Sequence, residues 1–148
     1  EGRTAEERAD SVHELLFPNH QPTGEEAHLL AEWDKLREVR ESVLKSLEGA
    51  RQSGMIGNSL EARVVLRASG ETAALLRRHE SDLRYIFIVS QTVIEETTGS
   101  EVIPQIEVFK ADGQKCERCW NYSVEVGNDS AYPTLCERCV PAVNAMCC

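Results

Sequence analysis

Between Thr23 and Gln52 the apolar positions Leu29, Trp33, Leu36, Val39, Val43, Leu47 and Ala50 recur at spacings of 4, 3, 3, 4, 4 and 3. That interval is one face of an α-helix. The opposite face carries Glu41 with Lys45 at i,i+4, and Asp34 with Arg37 and Glu48 with Arg51 at i,i+3, pairs that support a solvated helical surface. Thr23 as N-cap and Glu26 at N3 make a capping box at its start, and Gln52-Ser53-Gly54 ends it. Further on, Leu60, Ala62, Val64, Leu66 and Ala68 alternate with Glu61, Arg63 and Arg67, a half-buried strand with Val65 as the exception. Residues 71–81 predict a short helix, with Arg77 and Arg78 near its end where they complement the macrodipole. The run Tyr85-Ile86-Phe87-Ile88-Val89 is apolar on both sides and predicts the central strand. A third strand is expected over 102–110, moved toward a sheet edge by Pro104.

The fold class expected is therefore α+β: an N-terminal helical segment, a small β-α-β-β unit and a C-terminal four-cysteine module of zinc-ribbon type. In domains this gives a lead-in segment 1–23, a long-helix segment 24–55, a small α/β unit 56–113, a zinc module 114–143 and a tail 144–148. The lead-in is turn-rich, with Pro18 and Pro22 around the short apolar patch Val12, Leu15, Leu16 and Phe17.

The cysteines supply the chemistry. All six of the 148-residue chain lie between Cys116 and Cys148. The spacing Cys116-x2-Cys119, then 16 residues, then Cys136-x2-Cys139 falls inside the template of a structural zinc site. A two-residue gap turns both thiolates of a knuckle toward one ion, and two knuckles close a tetrahedron with no place left for water. One structural zinc ion is expected, with Cys116, Cys119, Cys136 and Cys139 as ligands. The competing readings are two disulfides or a redox Cys-x-x-Cys, but a redox motif is normally single and the chain opens on EGRTAEERAD, the opposite of an export signal. Cys147 and Cys148 are read as tail residues. Both knuckles read Cys-Glu-Arg-Cys, which sets Arg118 and Arg138 beside a centre of four thiolates. Their bland role is to offset that charge; the sharper one is contact with a phosphate.

Composition narrows the partners. Sixteen Lys plus Arg against 25 Asp plus Glu give a net charge of -9, which argues against a general nucleic-acid sponge. Any attraction to nucleic acid must be local, at Arg37/Arg40, Arg77/Arg78 or Lys115/Arg118/Arg138. Trp33 and Trp120 are the aromatic candidates for stacking on an unpaired base. Trp33 lies in the helical apolar series and reads as core, while the bland role of Trp120 is to shield the metal. His13, His20, His28 and His79 are scattered and read as surface or packing residues. No apolar run is long enough for a membrane span, so no membrane partner is expected.

The segment KCERCWNY from Lys115 to Tyr122, followed by LCERCV from Leu135 to Val140, resembles the C-terminal zinc module of bacterial-type isoleucyl-tRNA synthetases. The helix ending LEGAR at Arg51, with Ile56-Gly-Asn-Ser-Leu-Glu-Ala62 after it, is similar to the anticodon-binding region of those enzymes, and Ser11-Val12-His13 to the segment before it. Gln52-Ser53-Gly54-Met55 departs from the family pattern in lacking a Lys. The resemblance implies a ligase that activates isoleucine with ATP and charges its tRNA. Its HIGH-type and KMSKS-type motifs do not occur here, nor does a glycine-rich loop followed by Lys and Ser/Thr. ATP then belongs only to the missing catalytic domain, and this chain alone is not expected to be catalytic. The implied partners are isoleucine-accepting tRNA and the remainder of the synthetase, in a monomeric cytoplasmic protein, with an organellar matrix as the other location. The RNA contacts expected are Lys115, Arg118, Trp120, Arg138, Arg37 and Arg40. Two other readings are the zinc finger that ends formamidopyrimidine-DNA glycosylases, of similar spacing, and a zinc-stapled module for protein partners.

Overall fold

The computed structural model describes residues 26–98 and 103–146, together with Ser11, His13 and Gly24. The Thr23 cap, most of the lead-in segment, the first residue of the expected third strand and Cys147 and Cys148 lie outside them.

The 3-4 periodicity becomes one helix, α1 (Glu26–Gln52), whose buried residues are Leu36, Val39, Val43, Leu47 and Ala50. A short 3-10 turn, Ser59–Glu61, follows, opened by the Asn58 side chain accepting from the Leu60 N–H. It leads into β1 (Ala62–Ala68). Two short helices come next, α2 (Gly70–Arg78) and α3 (Glu80–Phe87). Strands β2 (Gln91–Glu96) and β3 (Gln105–Lys110) complete a three-stranded sheet in the order β2-β1-β3. β1 is parallel to β2 and antiparallel to β3, with Val65 opposite Val93 on one side and Glu107 on the other. The fold class is thus α+β, as the sequence predicts.

The central strand is β1 and not 85–89. Val64 and Leu66 are fully buried on the inner face and Val65 is buried on the outer one, so β1 alone is apolar on both sides. The 85–89 run instead finishes a helix. Leu83 and Phe87, four apart, are fully buried, while Tyr85 and Ile88 face solvent, a 3.6 period hidden inside a continuous apolar stretch. Ile88 stops α3 in the left-handed region, φ 58°. Its N–H donates to the Tyr85 carbonyl at 3.3 Å and the Val89 N–H to the Arg84 carbonyl at 2.9 Å, the paired bonds of a Schellman cap. Arg40 reinforces the cap through its Nε–H, which donates to the Ile86 carbonyl at 2.9 Å. The third strand begins at Gln105, after Pro104, and lies at an edge as expected.

α1, α2 and α3 cover one sheet face, and the core there joins Leu36, Val43 and Leu47 to Leu66, Leu76 and Phe87. Each such side chain contributes about 1.5–3 kcal/mol on burial. The first turns of α1 extend past this core. Leu29 and Leu30 are exposed and Trp33 is 42% exposed, its ring tilted against His79 at 6.1 Å. Trp33 is therefore not the core residue its periodicity suggests, because what faces this part of α1 is polar: His79 and the α2 residues Glu71 and Arg78, which pair with Lys35 and Glu32. Among the described residues no helix is long and apolar enough to cross a membrane.

A second, separate core holds Cys116, Val126, Cys136 and Cys139, with Cys119 and Leu135 packed against it. It is framed by the hairpin β4 (Gln114–Lys115) and β5 (Tyr122–Ser123) and by α4 (Cys139–Asn144). Gly113 makes the entry turn at φ +86°, where an added Cβ would lie 2.2 Å from the Ser123 carbonyl oxygen, so only glycine fits. Two polar links dock this module on the sheet. The buried Ser90 hydroxyl accepts the Tyr122 N–H at 2.7 Å and donates to the Leu60 carbonyl. The Gln91 side-chain amide pairs with both backbone groups of Asp112, at 2.9 and 3.0 Å.

Candidate metal centre and the cations around it

The backbone of each knuckle turns its cysteines inward. In the first, the Trp120 N–H donates to the Cys116 carbonyl at 2.8 Å and the Cys116 N–H to the Asn121 carbonyl at 2.9 Å. In the second, the Cys139 and Val140 N–H groups both donate to the Cys136 carbonyl, which starts α4 on the ligand itself. The knuckles are joined by the Glu117 N–H donating to the Thr134 carbonyl at 3.1 Å and the Cys136 N–H to Cys116 Sγ at 3.4 Å.

The four sulfurs all lie within 4.8 Å of one another, and three of the four cysteines are buried. Cys119 and Cys136 Sγ are 3.7 Å apart, far beyond a disulfide bond and close to the edge of roughly 3.8 Å that a tetrahedron with Zn–S near 2.3 Å requires. All four cysteines are free thiols. The disulfide and redox readings give way to a closed donor set for one structural zinc ion.

Without the ion the thiols are unequal. Burial alone pushes the Cys119 thiol up, but hydrogen bonds from the Asn121 backbone and side chain and from neighbouring thiols bring it down to about 6. Burial dominates at Cys136, which is pushed up to about 12. Zinc binding must therefore expel protons from the cluster. Arg118 supplies local positive charge, its Nη1–H reaching Cys139 Sγ at 3.7 Å. The second knuckle's arginine reaches both ways: Arg138 Nη1–H donates to the Tyr85 hydroxyl of α3 at 2.8 Å, and its guanidinium also interacts with the Cys119 thiol. The repeated Cys-Glu-Arg-Cys motif thus gives its two arginines different surroundings.

Most other cations are neutralised inside the fold. Arg37 pairs with Asp34, Lys35 with Glu71, Arg51 with Glu48, Arg63 with Asp112, Arg67 with Glu95 and Glu107, Arg77 with Glu80 and Glu96, and Arg78 with Glu32. Of the clusters singled out in the sequence, Arg77/Arg78 is spent on such pairs, and Arg40 caps α3. Lys115, Arg118 and Arg138 have no carboxylate within ion-pair distance among the described residues. Of the six expected RNA-contact residues, Lys115, Arg118, Trp120 and Arg138 lie on the zinc module, with Lys115 alone against the Trp120 ring, and Arg37 and Arg40 lie apart on α1.

Trp120 does not shield the metal. It is 60% exposed, with Lys115 Nζ 5.0 Å from its ring centroid. Its backbone is left-handed at φ 66°, a conformation that costs a non-glycine residue about 1–2 kcal/mol and that collects at functional sites. Sequence reasoning missed Arg84, Tyr85 and Ser90. Ser90 and Tyr122 are 32 positions apart, and Tyr85 and Arg138 are 53 apart, so no local pattern marks either pair.

A closed four-thiol knuckle pair carried on a small α+β unit defines a structural zinc-finger module. The model of the zinc finger found in FPG and IleRS matches residues 113–142. The isoleucine–tRNA ligase of Syntrophotalea carbinolica is 42% identical over 141 residues, covering 90% of this chain and 15% of that protein. That of Carboxydothermus hydrogenoformans is 43% identical over 146 residues, 96% of this chain and 16% of its own length. That of Gloeobacter violaceus is 48% identical over 118 residues, 75% and 12%. Over most of its length the chain thus corresponds to the region of isoleucine–tRNA ligases that carries the zinc finger. It spans about 15% of the length of these relatives.

Proposed function

We propose that this chain is a tRNA-binding portion of an isoleucine–tRNA ligase, acting in the cytoplasm within a protein that activates isoleucine with ATP and charges its tRNA. The observation that carries the reading is that the zinc module of an acidic chain carries three cations without carboxylate partners among the described residues, Lys115, Arg118 and Arg138, together with an exposed tryptophan, Trp120, that Lys115 lies against. Phosphates are the natural partners of such cations, and an indole held open to solvent suits an unpaired base. Zinc serves here as a staple: it fixes the knuckle that carries Arg118 and Trp120 and takes no part in a reaction.

A mobility-shift comparison of the zinc-loaded chain with isoleucine-accepting tRNA, a second tRNA and duplex DNA, at low and stated salt, tests this. Preference for the isoleucine-accepting tRNA is expected. Absence of binding, or equal binding to all three, overturns the reading, and preference for the duplex would favour a DNA-binding finger.

A further inference from the structure

Two guanidinium groups meet at one neutral oxygen outside the zinc module's own chain segment. Arg84 Nη2–H donates to the Tyr85 hydroxyl at 2.7 Å and Arg138 Nη1–H donates to it at 2.8 Å. Both guanidinium carbons also lie against the Tyr85 ring, 4.8 and 5.5 Å from its centroid. The phenol oxygen thus accepts from both guanidiniums. Neither arginine has a carboxylate within ion-pair distance among the described residues. Two like charges are thus held one hydrogen bond away from the same uncharged atom, with spare N–H donors on each.

The arrangement opens to solvent. Tyr85 is 51% exposed and stands beside a cleft of about 140 Å³ between α3 and the zinc module, lined by Arg84 and Arg138 with Ser90, Glu137 and the zinc ligands Cys119 and Cys136. The Glu137 carboxylate, which accepts the Ser123 hydroxyl at 2.8 Å, and the thiolate ligands repel an anion from the depth of the cleft, which leaves its mouth, where the two guanidiniums meet the exposed Tyr85 hydroxyl, as the seat. The two arginines also hold the Tyr85 hydroxyl below its ordinary value, Arg138 first, as expected where positive charge is in excess.

We propose that Arg84, Tyr85 and Arg138 form a clamp for one phosphodiester group of RNA, the phenol oxygen holding two guanidiniums in position and the phosphate meeting a charge that no carboxylate among the described residues offsets, Arg138 being shared only with the zinc ligand Cys119. The clamp rests on the tRNA-binding reading above and extends the binding face from the zinc module onto α3. Guanidinium forks match phosphate oxygens two at a time.

The test is the salt dependence of binding of the zinc-loaded chain to isoleucine-accepting tRNA. Arg84→Ala is expected to weaken binding to both that tRNA and a second tRNA to the same degree, and to reduce the slope of log affinity against log salt by about 1, with zinc content unchanged. Arg84→Lys should keep most of the slope, and Tyr85→Phe should weaken binding in the same direction with both charges still present. A purely structural role for Arg84 leaves the slope unchanged, and that result overturns the clamp while leaving tRNA binding standing. No binding by the unaltered chain overturns the tRNA reading itself. Displacement of tRNA by a modest excess of inorganic phosphate at constant ionic strength would make the site a general anion site and overturn the assignment to RNA.

Discussion

Trp120 is where backbone strain and exposure coincide, and replacing it separates stability from binding. In Trp120→Gly the left-handed φ of 66° becomes free of penalty, which returns about 1–2 kcal/mol. Against this stand the Lys115 cation–π contact, 5.0 Å at an exposed site and worth about 0.5–1 kcal/mol, and the added freedom of glycine in the unfolded chain, about 0.5–1 kcal/mol. Little burial is lost from a side chain 60% exposed. These contributions nearly cancel, so urea denaturation of the zinc-loaded protein should find stability within about 1 kcal/mol of the parent. Trp120→Ala loses the same indole but keeps the strain, and should be less stable than the glycine variant by about 1 kcal/mol. Both should retain zinc, and both should bind isoleucine-accepting tRNA about 5- to 150-fold more weakly, the range for removal of one stacked base. A fall of more than about 2 kcal/mol with loss of zinc would mean that the indole packs over the metal after all. Unchanged tRNA affinity would remove Trp120 from the binding face.

Cys136→Ser should abolish zinc binding and unfold residues 114–143 while the sheet domain persists, because the two cores are separate clusters and structural zinc binding is folding free energy of order ~10 kcal/mol; hydrogen exchange with metal analysis checks both halves. Gly113→Ala should destabilise the zinc module by about 2–4 kcal/mol, since the new Cβ meets the Ser123 backbone and the φ is left-handed; a neutral effect would contradict the packing of that turn. Zinc affinity should keep rising with pH past 9, because protons compete for the thiolates and the Cys136 thiol of the metal-free cluster is pushed up to about 12; a chelator competition that levels off near pH 8 would refute this. Arg118→Ala should weaken tRNA binding with zinc retained, and loss of both together would make its contact with Cys139 structural.

How much of this was legible in the sequence depends on how local the cause is. The α1 periodicity and the Cys-x2-Cys knuckles are written in neighbouring residues, so the long helix and the four ligands follow from spacing. Periodicity states which face of a helix is apolar but not what its partner presents to it, which is why Trp33 reads as core and yet lies half-exposed beside His79. The 85–89 run misleads because Tyr85 and Ile88 are apolar enough to hide the Leu83/Phe87 spacing, and the actual strand, Gln91–Glu96, buries only Ile94. Arg40, Arg77 and Arg78 look available until the fold supplies Ile86, Glu96 and Glu32 to them. Tyr85 is legible as a binding residue only once Arg138 reaches it from 53 positions away.

The most direct test of the proposed tRNA-binding surface is an NMR titration of the zinc-loaded, isotopically labelled chain with the anticodon stem-loop of isoleucine-accepting tRNA. The expected result is a set of shift changes at the Trp120 indole and at Lys115, Arg118, Tyr85 and Arg138, weakening as salt is raised. Changes confined to α1 around Arg37, or to the outer sheet face around Arg63 and Phe109, would place RNA on the wrong side of the molecule and contradict it.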